Sequence, residues 1–158
     1  MPDFLVKLYE LPDAEPSLKG SATQGLVIRR TMAYEKHQVV EWVREHFGAG
    51  WASECDVAFA NRLISCHIAT QGGRILGFAC YDSTCRGMFG PIGVADGARG
   101  RGIGRGLLLS SLHAMAAAGY AYAVVGGAGS TEFYQRVVDA TEIPGSDPGI
   151  YVDRLTGG

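Results

Sequence analysis

The sequence predicts a mixed α/β domain in which an antiparallel N-terminal half continues into one central β-α-β crossover. Three strand-like runs, "RLISCHIAT", "ILGFACYDS" and "MFGPIGVAD", follow one another, and this succession favours an antiparallel meander. A long amphipathic helix pattern follows over residues 103–118. The apolar run "YAYAVVGG" then predicts a buried strand. A strand, helix and strand in this order make the two strands parallel neighbours.

The first half of the chain supplies the remaining antiparallel elements. Residues 1–24 predict a strand or turn in "FLVKLYEL" followed by a loop, because prolines and a glycine interrupt any helical pattern. The β-rich run "GLVIRRTM" predicts a strand. Apolar residues at helical spacing predict a helix over residues 33–47, and "WASECDVAFAN" indicates a second short helix or a turn. The turn sequence "QGGR" predicts a hairpin between the first two strands of the meander.

The last third of the chain follows the long helix, which Gly119 closes. "STEFYQRVV" predicts a helix with Ser130 or Thr131 as its N-cap. The tail "TEIPGSDPGIYVDRL" predicts two turns and one or two short strands. The expected order is therefore β-α-(α)-β-β-β-α-β-α-β.

Length and composition set limits on organisation and partners. A chain of 158 residues with a hydrophobic fraction of 47% is expected to form one domain, residues 1–158, with residues 1–24 as an N-terminal extension of strand and loop. The formal net charge of -2 gives no overall attraction to nucleic acid or anionic lipid. Apolar runs stay below the roughly 18 residues of a membrane helix, and "MPDFLVKLYELPD" does not resemble a signal peptide. We therefore expect a cytoplasmic protein that binds neither nucleic acid nor a membrane.

The cysteines and histidines do not show the spacing of a metal site or a redox motif. Cys66 and Cys80 lie inside apolar segments, so buried, reduced thiols are expected. The four histidines are scattered, with no HExxH or similar spacing. No metal is expected.

The run "RGRGIGRG", residues 99–106, lies between the third strand of the meander and the long helix. The first turn of a helix leaves backbone N–H groups without partners, and the helix dipole favours an anion there. Glycines let the backbone approach a phosphate closely, and arginines add charge and bidentate contacts. The run therefore predicts a pyrophosphate site.

The two common nucleotide-binding patterns do not fit this loop. A G-x-G-x-x-G pattern started at Gly100 meets Arg105 in the sixth position, and one started at Gly102 meets Leu107. Gly97 and Gly102 have the gap of a P-loop, but no lysine follows. A nucleotide-dependent enzyme is disfavoured, and a nucleic-acid role is weaker still because the basic cluster is short and lacks aromatic neighbours.

The remaining pattern, Arg-x-x-Gly-x-Gly at residues 99–104, resembles the GNAT acetyltransferase superfamily, which holds the pyrophosphate of acetyl-CoA with [Gln/Arg]-x-x-Gly-x-[Gly/Ala]. The resemblance covers most of the chain in element order and is most specific in "IGVADGARGRGIGRGLL". It implies a GNAT-like acyl-CoA N-acyltransferase fold, acetyl-CoA as cosubstrate and no metal. The loop residues that it implies for CoA binding are Arg99, Gly100, Arg101, Gly102, Ile103, Gly104 and Arg105.

The same resemblance implies how the rest of the cosubstrate is held. In the family, the strand before the loop splays from the next parallel strand and bonds the pantetheine arm; the matching positions are Ile92, Gly93 and Val94. Gly93 suits a bulge at which a ligand approaches the backbone. The glycines after "AYAVV" are expected to turn the chain beside the acetyl group.

Catalytic roles also follow from the resemblance. Tyr134 in "EFYQRV" matches the family's tyrosine, which protonates the departing thiolate, and a phenol is neutral at pH 7 and donates a hydrogen bond. Val138-Asp139 replaces the family's Gly-Phe, a departure that affects the packing of the final strands. Glu54 and Asp56 lie where the family's acceptor-side helices are, so either carboxylate could act as base or hold a cationic substrate by charge.

The resulting hypothesis is an N-acetyltransferase that transfers acetyl from acetyl-CoA to a primary amine by direct transfer in a ternary complex. The alternative is a module of the same fold that binds or senses acyl-CoA without catalysis. The expected acceptor is a small molecule or a peptide. Dimers are common in the resembled family, so a homodimer is a further expectation.

Overall fold

The computed structural model describes residues 1–157 and contains one mixed sheet with helices on both of its faces. Within these residues there are seven strands: β1 Phe4–Lys7, β2 Val27–Arg30, β3 Cys66–Gln71, β4 Arg74–Tyr81, β5 Met88–Val94, β6 Tyr122–Val125 and β7 Thr141–Glu142. The α-helices in the same part of the chain are α1 Glu15–Thr23, α2 Lys36–Phe47, α3 Ala49–Ala60, α4 Ile103–Ala117 and α5 Thr131–Val138. The predicted fold class is confirmed.

The strand order in the sheet is β2-β3-β4-β5-β6-β1-β7. Neighbours from β2 to β5 are antiparallel, which confirms the meander. The pair β5 and β6 is parallel and is joined through α4, which confirms the crossover. The tail contributes one strand, the two residues of β7.

The parallel pairing between β5 and β6 is short. Met88 pairs with Val124 and Phe89 with Val125, and residues 90–94 of β5 then continue without a partner in β6. On its other side β5 stays paired with β4 as far as Val94. The two parallel strands therefore part after Phe89, and one edge of β5 is left open.

The sheet separates two layers of core. Alternate residues of β4 face opposite layers: Phe78 and Cys80 face the core under α2 and α3, whereas Ala79 and Tyr81 face the larger core under α4. The apolar face of α4, which includes Leu109, is fully buried against the sheet. Within residues 1–157, no helix has the length and apolar character required to cross a bilayer.

The N-terminal extension departs from the prediction of strand and loop alone. Residues 15–23 form the helix α1, whose Pro16 lies in the first turn, where a missing N–H costs no hydrogen bond. The strand β1 lies inside the sheet, between β6 and β7, and is antiparallel to both. The helix was not predicted because proline and glycine residues commonly interrupt helices. The position of β1 in the sheet depends on pairing with strands distant in the sequence, which a local pattern cannot predict.

Candidate active site

A cleft of about 1360 Å³ opens where β5 parts from β6, bounded by α3, α5 and the start of α4. This volume exceeds the about 300–1,000 Å³ of ordinary small-molecule sites. Of the site residues predicted from the sequence, Arg101 and Asp56 do not line it, and the others do: Glu54, Ile92, Gly93, Val94, Arg99, Gly100, Gly102, Ile103, Gly104, Arg105 and Tyr134.

The first turn of α4 faces this cleft. Gly102 is its N-cap and has a φ of 78°, and Gly100 has a φ of 79°; both values lie in the left-handed region that favours glycine. In the described chain, no side chain caps this helix. The amide groups of Ile103 and Gly104 at its start thus keep their ability to bind an anion, and the helix dipole strengthens that ability.

The three arginines of the loop point in different directions. Arg99 and Arg105 line the cleft, and the Arg99 guanidinium lies 3.3 Å from a carboxylate oxygen of Asp96. Arg101 turns away: its Nε donates to Oε1 of Gln24 and its Nη1 to Oε1 of Gln71, each at 3.2 Å. Its side chain therefore ties the loop to the neighbouring turns, which is a correction to its expected role as a cleft cation.

The open edge of β5 presents the backbone of Ile92, Gly93 and Val94 to the cleft. Gly93 pairs in register with Phe78, and the irregularity in the pairing lies earlier, between Phe89 and Ile92. The expected bulge at Gly93 is therefore wrong. A different constraint requires glycine there, because a Cβ atom would collide with the ring of Phe47.

Tyr134 lies on α5, with its ring packed edge-on against Phe89 at a centroid distance of 6.3 Å. The side chain is buried at 6% exposure and lines the cleft. Burial raises the pKa of its phenol to about 12. The phenol therefore stays protonated at neutral pH and can donate a hydrogen bond into the cleft that it lines.

The two carboxylates considered for the base have different surroundings. Glu54 lines the cleft from α3 and accepts a hydrogen bond from the hydroxyl of Thr84. Asp56 is exposed and forms an ion pair of 2.7 Å with Lys36, outside the residues that line the cleft. Only Glu54 therefore shares a site with Tyr134.

Sequence reasoning missed Tyr151, which reaches the cleft from the tail. A Cβ atom on Gly126 would lie 2.7 Å from the Tyr151 hydroxyl oxygen and would collide with Met88, so the glycine after β6 makes room for both. Asp3 stabilises the turn after β6, because its carboxylate accepts a hydrogen bond of 2.9 Å from the Gly127 amide. No spacing pattern links the tail to this turn, and only the paired β1 brings Asp3 there.

The geometry combines three chemical capacities along one path. The start of α4 and two arginines can hold a diphosphate, and the open edge of β5 can pair with an extended chain that carries amide groups. At the far end, a neutral phenol and a carboxylate can donate and accept protons.

Comparisons with known proteins agree with this geometry. A family model described as "Acetyltransferase (GNAT) family" matches residues 36–139, which include the loop, α4 and Tyr134. In the comparison with curated proteins, none matches the chain.

Several solved structures share the fold at low sequence identity. A GCN5-related glucosamine N-acetyltransferase region of a fungal multi-domain GH3 β-N-acetylglucosaminidase is 17% identical, with a TM-score of 0.74 over 90% of this chain and 19% of that one. A GCN5-related N-acetyltransferase from Sphaerobacter thermophilus is 19% identical, with a TM-score of 0.62 over 90% of this chain and 48% of that one. A Drosophila protein is 14% identical, with a TM-score of 0.64 over 90% and 47%. The chain thus spans less than half of the length of these three proteins.

Proposed function

The chain belongs to the GNAT acetyltransferase family, and from that premise we propose that it is an N-acetyltransferase that uses acetyl-CoA to acetylate a primary amine. Transfer is direct, with both substrates bound together in a ternary complex. The volume of the cleft, about 1360 Å³, supports simultaneous binding of the two substrates, since it exceeds the volume of ordinary small-molecule sites.

The observation that carries the proposal is the continuous path from the uncapped start of α4, along the open edge of β5, to Tyr134. The amides of the first helical turn, together with Arg99 and Arg105, would hold the diphosphate. Backbone groups of residues 92–94 would pair with the amides of the pantetheine arm as an added strand does. The space beside Gly100 and Gly102 is open, because a Cβ atom at either position would meet no atom of the described residues within 4 Å. This open space fits the approach of a diphosphate to the loop backbone.

Acetyl-CoA supplies the activated acetyl group as its thioester. Glu54 accepts the proton that the acceptor amine must lose before it attacks, directly or through a water molecule. Tyr134 donates a hydrogen bond, and then its proton, to the sulfur as the bond from sulfur to the carbonyl carbon breaks. The high pKa of the buried phenol, about 12, keeps that proton in place until the thiolate forms.

The acceptor is a small molecule or a peptide with a primary amine. Glu54 in the cleft favours an acceptor that arrives as a cation. The free, buried thiols of Cys55, Cys66 and Cys80 support a reducing compartment, and hence a cytoplasmic protein. A homodimer stays a prediction.

Isothermal titration of the full chain with acetyl-CoA tests the binding step, and release of free thiol against a broad panel of amines tests the chemistry. We expect saturable binding with one site per chain and thiol release with at least one amine class. Absence of both heat and thermal shift at millimolar acetyl-CoA would overturn the proposal. Binding without thiol release for any amine would instead favour the non-catalytic acyl-CoA module.

A further inference from the structure

Three thiols from separate parts of the chain meet on the sheet face under α2 and α3, outside the cleft. Cys66 and Cys80 are directly paired residues of β3 and β4, and Cys55 reaches them from α3. All three are fully buried. Their Sγ atoms lie within 4.8 Å of one another, and those of Cys55 and Cys66 are 4.0 Å apart.

We propose that Cys55, Cys66 and Cys80 form a binding site for one soft, thiophilic metal ion, which their chemistry identifies as Cu(I). Three sulfur atoms placed in a plane around an ion at about 2.3 Å are about 4.0 Å from one another. The distance between the Cys55 and Cys66 sulfurs equals this value, and all three sulfurs lie within 4.8 Å of one another. The sulfurs can therefore close on an ion with side-chain shifts of less than an ångström or so.

The donor set selects the ion. Thiolate ligands favour Cu(I), whereas Zn²⁺ in structural sites takes four ligands in a tetrahedron. Within residues 1–157, the metal-ligating side chains of the cluster are the three cysteines alone, and their neighbours include Val43, Phe78 and other apolar side chains. A site with three soft donors and an apolar lining suits an ion that is stable in three-coordinate geometry.

The balance of charge also favours a monovalent ion. The three sulfur atoms are fully buried among apolar side chains. A Cu(I) ion that replaces the Cys55 proton, which leaves to solvent, forms one sulfur–copper bond without net charge, and lone pairs of the other two sulfurs complete the coordination. An uncompensated charge in this apolar setting would be costly.

The location gives the ion a structural consequence. Cys55 follows Glu54 on α3, and the Glu54 side chain lines the cleft, so an ion shared by α3, β3 and β4 would hold that helix against the sheet. The metal-loaded chain should therefore unfold at a higher temperature than the metal-free chain. With free ion at a hundredfold excess over Kd, the expected rise in Tm is roughly 5–10 °C.

The test uses the full chain, reduced and kept free of oxygen, titrated with Cu(I) held by the chromophoric chelator bicinchoninate. We expect the protein to withdraw one equivalent of copper. Cys85→Ala is the matched control, because Cys85 is the exposed cysteine of the chain, and it should bind as the parent does. Cys66→Ala and Cys55→Val should lose the equivalent while their circular dichroism shows that they are folded.

Three results would overturn the proposal. One is no transfer of copper to the parent chain, another is loss of binding in Cys85→Ala with retention in Cys66→Ala, and the third is preferential binding of Zn²⁺ over Cu(I). X-ray absorption at the copper edge of the parent chain provides a second measurement if the core variants do not fold. Three sulfur neighbours at about 2.3 Å support the site, and nitrogen or oxygen neighbours overturn it.

Discussion

The cleft and the centre of the sheet lie side by side, yet they differ in whether polar backbone groups have hydrogen-bond partners. In the centre, β3 and β4 are each paired on both sides, and side chains such as Phe78 and Leu109 fill the space between sheet and helices without exposure. At the cleft, residues 92–94 are paired on one side only, and no side chain in the described chain caps the start of α4.

The difference identifies which part of the molecule carries stability and which part can carry binding. Buried backbone groups without partners cost free energy, so a fold keeps such groups where water or a ligand reaches them. In the centre, where β3 and β4 are paired on both sides, the contribution is burial of apolar surface. Substitutions should therefore act on unfolding in the centre and on binding or turnover at the cleft.

The largest expected effect is on stability, from Leu109→Ala in the centre. Leu109 is fully buried on α4 and does not line the cleft, so its truncation leaves a cavity that costs about 3–5 kcal/mol of unfolding free energy. Urea denaturation measures the loss, with Leu63→Ala as control, because Leu63 is 72% exposed. The affinity of the folded fraction for acetyl-CoA should not change. Equal losses of stability in the two variants would contradict the division between centre and cleft.

At the cleft, Tyr134→Phe should lower kcat by about 10²–10³-fold, because it removes the acid that protonates the departing thiolate. Thiol release under saturating substrates measures the rate, and titration with acetyl-CoA should show unchanged affinity. Tyr122→Phe is the matched control, since Tyr122 is exposed and lies outside the cleft. An unchanged rate in Tyr134→Phe would remove this residue from the mechanism.

In the centre, His67 should make stability depend on pH. Burial lowers its pKa to about 4, with a smaller contribution from Arg30, whereas in the unfolded chain the ordinary value is about 6.5. Above pH 6.5 the residue is neutral in both states. As pH falls from about 6.5 to about 4 the unfolded chain takes up the proton first, so stability declines by about 3 kcal/mol.

Urea denaturation across this pH range measures the decline, and His67→Gln serves as the comparison. The variant should lose that part of the decline, since glutamine does not titrate. Parallel curves for the two proteins would show that other groups cause it.

The smallest expected effect separates the arginines of the glycine-rich loop. Arg99→Ala combined with Arg105→Ala should weaken acetyl-CoA binding by about tenfold, because both side chains line the cleft and charge-assisted contacts to phosphate are lost. Arg101→Ala should leave the affinity unchanged, since Arg101 bonds Gln24 and Gln71 instead. Titration at two salt concentrations measures both, and the double variant should show the weaker dependence on salt. Equal effects of all three arginines would contradict the orientation of Arg101.

The prediction of helices and strands succeeded where the signal is local. Residues 103–118 carry a continuous apolar face, and the structure ends α4 within one residue of that prediction. The prediction failed at α1, because Pro16 and Gly20 resemble breakers, although proline is well tolerated in a first helical turn. The start of a helix at a proline is harder to predict than a helix with a periodic apolar face, because the effect of proline depends on its position in the helix.

The candidate site divides in the same way. The spacing of glycines and arginines predicted a loop that leads directly into a helix. Such a prediction is possible because backbone conformation and the start of a helix are properties of adjacent residues. The direction of the Arg101 side chain and the approach of Tyr151 from the tail could not, since both depend on partners distant in the chain. The same holds for the Phe47 ring that requires glycine at position 93.

By itself, then, the sequence determined the mixed α/β class, the meander and the crossover, and it predicted a phosphate site in the loop. Tertiary structure alone decided that β1 enters the sheet between β6 and β7, that Glu54 and Tyr134 share a cleft, and that three scattered cysteines converge. Periodicity specifies which face of an element is buried but not which other element covers it. That choice is made when distant segments pack, at a loop-closure cost that local sequence does not encode.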